Sequence, residues 1–429
     1  MFTTHRVKRL ALVLPTVAAL VAGVGACSGG DDDPNSLTLI AANSPWAEGI
    51  KVLAEDYKAE TGITVKVDTY SNEQLNDTYK VKLNAQSADF DLMAYQPQDV
   101  MREFSRNGWL ADLSERVESD AAWNWQDFQQ PARDAVTLDG AVYGVPVMTE
   151  RHIMYYRADL LKDAGIEVPE TLDELKAAAA KLDDPDNGVY GIAMRGARVP
   201  LVTQFSSFLY SFGGDFQDAS GKATVNTPEA IAAYRFYGDL LKDSGPPGAA
   251  NMGWVEASAI FAQGNAAFYL DADSQAYTFL DEANSAVTDT VAYAKFPEGP
   301  AGSLAYNIVP QAVGVNELSD KQDQAWDFLS WASNEANSKR LLNEQTAPVA
   351  RQSAWDDPAA TANYPEGLVD IIRNAGDGYI SHDRPMLEQV ARAREFVGGP
   401  AVAAIEGGDV ASAAEQANTD FQALLDSER

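Results

Sequence analysis

Val142-Tyr143-Gly144-Val145-Pro146-Val147-Met148, then Thr149-Glu150-Arg151-His152, then Ile153-Met154-Tyr155-Tyr156, is the stretch that decides how the chain is read. Two apolar runs of strand type flank four polar residues, and a glycine and a proline bend the first run. Polar groups inside segments fit for burial need water or a partner. Residues 149–152 are therefore expected where the chain passes from one folding unit to another. Further on, Pro169 precedes Thr171 and Glu174, the spacing of a capping box, and Leu172, Leu175, Ala179 and Leu182 form a helical stripe.

On the N-terminal side, Leu37–Ala42 reads as a strand, with Ser44 capping a helix that starts at Pro45 and stops at Gly62. A strand over Ile63–Asp68, a helix from about Glu73 to Ala85 and a strand over Phe90–Tyr95 follow. Strands alternating with helices imply a parallel α/β sheet, in which ligands bind beyond the carboxyl ends of the strands. That rule points to Asn43–Trp46, Tyr70–Asn72 and Tyr95–Gln98. On the C-terminal side, the strand Tyr190–Met194 ends at Arg195, and Thr227 caps a helix running to Leu241. Trp254 follows the loop Ser244-Gly245-Pro246-Pro247-Gly248. The strand Ala266–Leu270 ends at Asp271 and Asp273, and Leu304–Val315 reads as the return crossing. Ser319 and Gln322 have the spacing of a second capping box.

At 429 residues and 46% hydrophobic content the chain can bury a large core, and its length favours two domains. Arg6, Lys8 and Arg9 precede an apolar run from Leu10 to Val24, the pattern of a secretion signal over residues 1–26. It ends at Cys27, the only cysteine, after Val24-Gly25-Ala26. This resembles a bacterial lipobox, with lipidated Cys27 and a Gly/Asp/Asn/Pro tether over 27–36. Losing residues 1–26 removes three basic residues and no acidic one, so net charge goes from −31 to −34. Such a surface repels phosphate backbones and argues against nucleic acid as a partner. Three histidines and one cysteine leave no zinc set and little for a histidine-based triad, so no metal, cofactor or enzyme activity is expected.

Three pieces in order, Tyr143-Gly144-Val145-Pro146, Tyr155 to Ile166 and Pro169 to Leu175, resemble the central signature of family 1 extracellular solute-binding proteins. These are the sugar receptors of ABC importers. Phe261-Ala262-Gln263-Gly264-Asn265-Ala266-Ala267 and the loop Gly245–Asn251 resemble sorbitol- and mannitol-binding members. The resemblance implies a two-lobe type II periplasmic-binding-protein fold with the ligand in the cleft. Lobe I is expected at 37–149 plus 308–350, and lobe II at 150–307 plus 351–429. It further implies a monomer, anchored on the extracellular face of the cell membrane, that delivers a sugar, sugar alcohol or short oligosaccharide to an ABC permease. Where such members often carry a Gly-Gly pair near the return crossing, this chain has Ala305-Tyr306-Asn307, which would narrow the site.

A sugar or polyol site needs aromatic faces for C–H groups and polar or charged side chains for hydroxyls. The candidates are Asn43, Trp46, Gln96, Glu150, Arg195, Trp254, Asp271, Asp273, Tyr306, Asn307 and Arg384. Each has a structural alternative: core packing for Trp46 and Trp254, a hinge ion pair for Glu150, a salt bridge for Arg195, and helix capping for Asp271 and Asp273. Thr171–Leu182 is expected to be scaffold without ligand contacts. Two other classes compete. A polyamine or peptide receptor would show cleft carboxylates without an arginine, and a secreted carbohydrate-active enzyme would turn its ligand over.

Overall fold

The computed structural model describes residues 33–373, 380 and 382–428. The expected secretion signal over residues 1–26 and the expected lipidation site at Cys27 lie outside the described residues. Among the described residues ten strands are formed: β1 Ser36–Ala42, β2 Thr64–Tyr70, β3 Leu92–Tyr95, β4 Thr137–Leu138, β5 Ala141–Val142, β6 Val145–Arg157, β7 Tyr190–Ala193, β8 Ala266–Ala272, β9 Val291–Lys295 and β10 Asn307–Val315. Eight of them join in the order β2-β1-β3-β10-β6-β8-β7, with β9 on β6, while β4 and β5 form a separate hairpin. The β1–β2, β1–β3 and β7–β8 pairs are parallel, and every pair made by β6 or β10 is antiparallel.

The central stretch differs from its sequence reading in one respect. Val145–Arg157 is a single strand of 13 residues rather than two runs with a break, and Ala141–Val142 belongs to the hairpin. The polar residues do not interrupt the strand because its two faces give partners to Thr149, Glu150 and Arg151, while the His152 ring is buried against aromatic side chains. Thr149 and Arg151 reach Gln129, and Glu150 on the other face reaches Gln311. Within β6 the pairing changes hands. Residues up to Arg151 pair with β10, and from His152 onward with β8.

Apolar side chains gather in two cores. One holds Leu39, Ile50, Leu92, Phe104, Val313 and Phe328, and is joined by Trp355, Leu368 and Ile372. The other holds Phe205, Phe208, Tyr234, Leu241, Val397 and Phe421. Local signals place the helices. In α1 (Pro45–Thr61), Ser44 accepts from Ala47 N–H and Gly62 closes the end with φ of 81°, a conformation glycine adopts without a Cβ clash. α2 (Leu172–Leu182) carries the expected capping box between Thr171 and Glu174. In α3 (Leu201–Ser211) all eleven residues are buried. Thr227 caps α4 (Pro228–Ser244) through Ala230 N–H. α5 is Trp254–Ala262 and α6 is Gln322–Ala332.

The capping box expected at Ser319 does not form. Ser319 Oγ donates to the buried Asp91 carboxylate at 2.6 Å, and α6 starts later without a side-chain cap. A charge-assisted bond to a carboxylate outweighs a surface cap.

Candidate functional site

Where β6 passes from β10 to β8, buried polar and charged side chains are packed together. Asp271, at the end of β8, is fully buried and accepts five hydrogen bonds. Arg195 grips it in bidentate fashion, Nε at 2.9 Å and Nη2 at 2.6 Å, while Gln204 Nε2 (2.6 Å), Tyr269 Oη (2.8 Å) and its neighbour's Ala272 N–H (2.7 Å) supply the rest. Burial alone would lower the Arg195 pKa, but the Asp271 charge outweighs it and holds the guanidinium charged. Asp273 receives Arg151 Nη1 at 3.1 Å and Arg151 N–H at 2.9 Å. Burial raises its pKa, and Arg151 partly offsets the rise.

Glu150 Oε1 accepts from Ser274 Oγ at 2.7 Å and from Gln311 Nε2 at 3.2 Å. Burial pushes its carboxyl up to about 7; Ser274 and Arg195 oppose this, and the charges of Asp273 and Asp383 add to it. Beside it, burial drives His152 down to about 3, so its ring is neutral. That ring stacks on Tyr306, centroids 5.1 Å apart and planes at 13°.

Arg384 is buried and bonds to Asp383, to Gln96 Oε1 at 3.0 Å, to Asp99 at 2.5 Å and to Thr203 Oγ1 at 3.3 Å. Gln96 and Asp99 follow β3 on the first core, whereas Thr203 lies on α3 in the second, so Arg384 ties the two sides together. Arg106 and Glu388 make a further ion pair. Near it, a groove of about 610 Å³ is lined from one side by Arg102, Asp139 and Tyr143, and from the other by Gln217, Met386 and Glu388.

Gln96, Glu150, Arg195, Asp271, Asp273, Tyr306, Asn307 and Arg384 therefore cluster around this junction. Asn43 is exposed just past β1, at the end of the sheet that also carries Gln96. Trp46 is buried in the first core and lines a small cavity with Phe128, Leu329 and Leu341, the surroundings of a packing residue. Trp254 is half-buried and differs from its expected place in a loop, being the first residue of α5. The segment before it lies against the end of β7, with Met252 O accepting from both Gly196 and Ala197 N–H at 2.9 Å. A Cβ on Gly196 would come within 2.1 Å of Ala249 O, so glycine is what allows this approach.

Sequence reasoning missed the polar face of α3. Gln204, Ser207 and Ser211 are 0% exposed, so none is a surface group. Ser207 Oγ accepts from Tyr306 N–H and Ser211 Oγ from Leu304 N–H, both at 3.1 Å, which fixes the segment entering β10. The signal was their spacing of three and four residues, one face of a helix. At that entry β10 bulges and Ile308 is held at φ of 60°, a strained backbone for a β-branched residue. Among the described residues no group of His, Cys, Asp and Glu is arranged to hold a metal, and no helix is long and apolar enough to cross a membrane.

A mixed α/β chain whose sheet is shared between two cores, with charged and amide side chains packed where strands cross, is the architecture of a solute-binding protein. Residues 43–339 match the family model described as bacterial extracellular solute-binding protein, and the chain belongs to that family. It is 28% identical over 306 residues to the mannitol-binding protein of Pseudomonas aeruginosa, covering 69% of each chain. Two solved structures of ABC transporter solute-binding proteins, each 26% identical, resemble it over 91% of this chain and 98% of theirs. One, from Agrobacterium radiobacter in complex with ribitol, superposes with a TM-score of 0.82; the other, from Agrobacterium vitis with bound D-mannitol, with 0.79.

Proposed function

We propose that this protein is the extracellular receptor of an ABC importer for a neutral carbohydrate, a sugar, sugar alcohol or short oligosaccharide held at the β6–β8–β10 junction. The observation that carries the reading is how the junction's charges are already used. Asp271, Asp273 and Asp383 are each paired with an arginine, Arg195, Arg151 and Arg384. A cationic solute such as a polyamine would therefore meet only Glu150 without an arginine partner. Hydroxyl groups, which donate and accept weakly and carry no charge, suit a site rich in amides, hydroxyls and neutralised carboxylates. The mannitol-binding relative and the ribitol and mannitol complexes support the same ligand class.

In this reading residues 37–149 with 308–350 form one lobe and 150–307 with 351–429 the other, with Glu150 and Asn307 near the crossings between them. Ligand touching both lobes favours the closed form by its differential affinity. Trp254 offers an aromatic face, and Gln96, Arg195, Tyr306, Asn307 and Arg384 supply the polar lining. The receptor binds and releases its solute without turnover. It sits at the membrane through lipid on Cys27, as a monomer that docks on a permease. A thermal-shift screen of the secreted domain against sugars, polyols, amino acids and polyamines tests the ligand class, since a bound ligand raises apparent stability by mass action. Sugars or polyols should raise melting. A polyamine raising it while no carbohydrate does would refute the reading.

A further inference from the structure

Most polar atoms in the junction are satisfied by the protein itself; those left without a partner among the described residues include Arg151 Nε, both ring nitrogens of His152, Gln204 Oε1 and the Tyr306 hydroxyl. Asp271 has five donors and no room for a ligand hydroxyl. Two side chains beside it are left half used. Gln204 must turn its NH2 group to Asp271, because a carboxylate only accepts, so its Oε1 points elsewhere. That oxygen is buried without a hydrogen-bond partner among the described residues, and so is the hydroxyl of Tyr306, a residue only 1% exposed.

Both belong to the same small region. Tyr306 N–H is bonded to Ser207, one turn beyond Gln204 on α3. The Tyr306 hydroxyl lies in the fields of Asp271, Glu150, Arg195 and Asp383, and Asp271 is the carboxylate that both Gln204 and Arg195 bond. Its ring cannot swing away freely, being stacked on His152. Burial raises the Tyr306 pKa well above its ordinary value, so the group is a neutral O–H and available as a donor. Leaving a buried donor and a buried acceptor unmade costs the desolvation of each group with nothing to offset it. A protein interior tolerates that where something else completes the bonds.

We propose that Tyr306 Oη and Gln204 Oε1 act as a donor–acceptor pair for one ligand hydroxyl, and so set specificity at that position. The proposal rests on the carbohydrate reading above. A hydroxyl accepts from Tyr306 and donates to Gln204. A carbonyl oxygen at that carbon satisfies only Tyr306, and a deoxy carbon satisfies neither. The site therefore distinguishes a reduced polyol from its keto counterpart at one carbon, on hydrogen-bond count alone.

Calorimetric titration of the secreted domain with ribitol, D-mannitol, their deoxy analogues and the matching keto sugars tests this. Wild type is expected to lose affinity by about tenfold or more at one particular carbon when its hydroxyl becomes deoxy, and by less when it becomes carbonyl. Tyr306→Phe should weaken polyol binding about tenfold while binding the deoxy analogue at that carbon as well as wild type does. Because the variant removes an unpaired hydroxyl, its ligand-free melting temperature should stay level or rise. A merely structural tyrosine would lower it. Gln204→Met should likewise erase the preference for hydroxyl over deoxy at that carbon. Equal discrimination at every carbon, or wild-type polyol affinity in Tyr306→Phe, would overturn the pair while leaving the carbohydrate reading intact. A wild-type protein that binds no sugar or polyol would overturn both.

Discussion

Two tryptophans show how differently the two regions of this molecule are built. Trp46 sits in the first turn of α1, 5% exposed, among Leu, Val and Phe side chains. Trp254 also begins a helix, yet it stays half-exposed, and the segment before it is bonded to Gly196 and Ala197, the residues that follow Arg195. The first belongs to an apolar core, where stability comes from area removed from water. The second borders a junction whose charges cancel in pairs, where burial costs free energy unless every partner is present. The cores hold the junction in place, and the junction holds polar groups that no core would keep.

The largest effect that can break this contrast is at Asp271. Asp271→Ala would leave Arg195, Gln204 Nε2 and the Tyr269 hydroxyl buried without their acceptor, and should destabilise the fold by about 3–5 kcal/mol in urea denaturation. A change below about 1 kcal/mol would mean that water, not Asp271, satisfies Arg195. The tryptophans come next. Trp46→Ala should cost about 3–5 kcal/mol of stability and leave the affinity of the folded fraction unchanged. Trp254→Ala should do the opposite, weakening carbohydrate binding by about 1–3 kcal/mol with little change in melting. The same outcome in both variants would erase the distinction between the regions.

Glu150 sharpens it further. Its folded pKa, pushed up to about 7, exceeds the ordinary value of 4.5. Below the lower value the carboxyl is protonated whether folded or not, and its contribution to stability is fully present. As pH rises the unfolded chain ionises first, and stability is lost until the folded group also ionises near 7. Glu150→Gln should therefore be more stable than wild type at about pH 8, by roughly 1–3 kcal/mol, with the gain shrinking to nothing near pH 4. A gain that instead grew toward acid pH would show Glu150 to be a stabilising carboxylate, and would reverse the sign assigned to it.

What could be read from the sequence follows the range of the interactions involved. The helix caps at Ser44, Thr171 and Thr227 depend on residues three apart, and they were legible. The strand at Tyr190–Ala193 and the one ending in Asp271 were legible from composition, which placed Arg195 and Asp271 at strand ends. Their pairing across 76 residues was not. Ser319 failed for the same reason, since its partner Asp91 lies 228 residues away and no local spacing announces it. The polar face of α3 was hidden because the residues between Gln204, Ser207 and Ser211 are mostly apolar, so the helix reads as plain core. The continuity of β6 was hidden too. Thr149 to His152 look like a break until Gln129, Gln311 and Ser274 are brought to them from other parts of the chain.

The central claim is that ligand is held at the β6–β8–β10 junction and not against the apolar cores. Hydrogen–deuterium exchange of the secreted domain, with and without a sugar or polyol that raises its melting temperature, addresses it directly. Residues 149–152, 271–275 and 304–311 should slow on ligand addition while Leu172–Leu182 is unchanged. Protection confined to α1 or α2, with none at those strand segments, would contradict it.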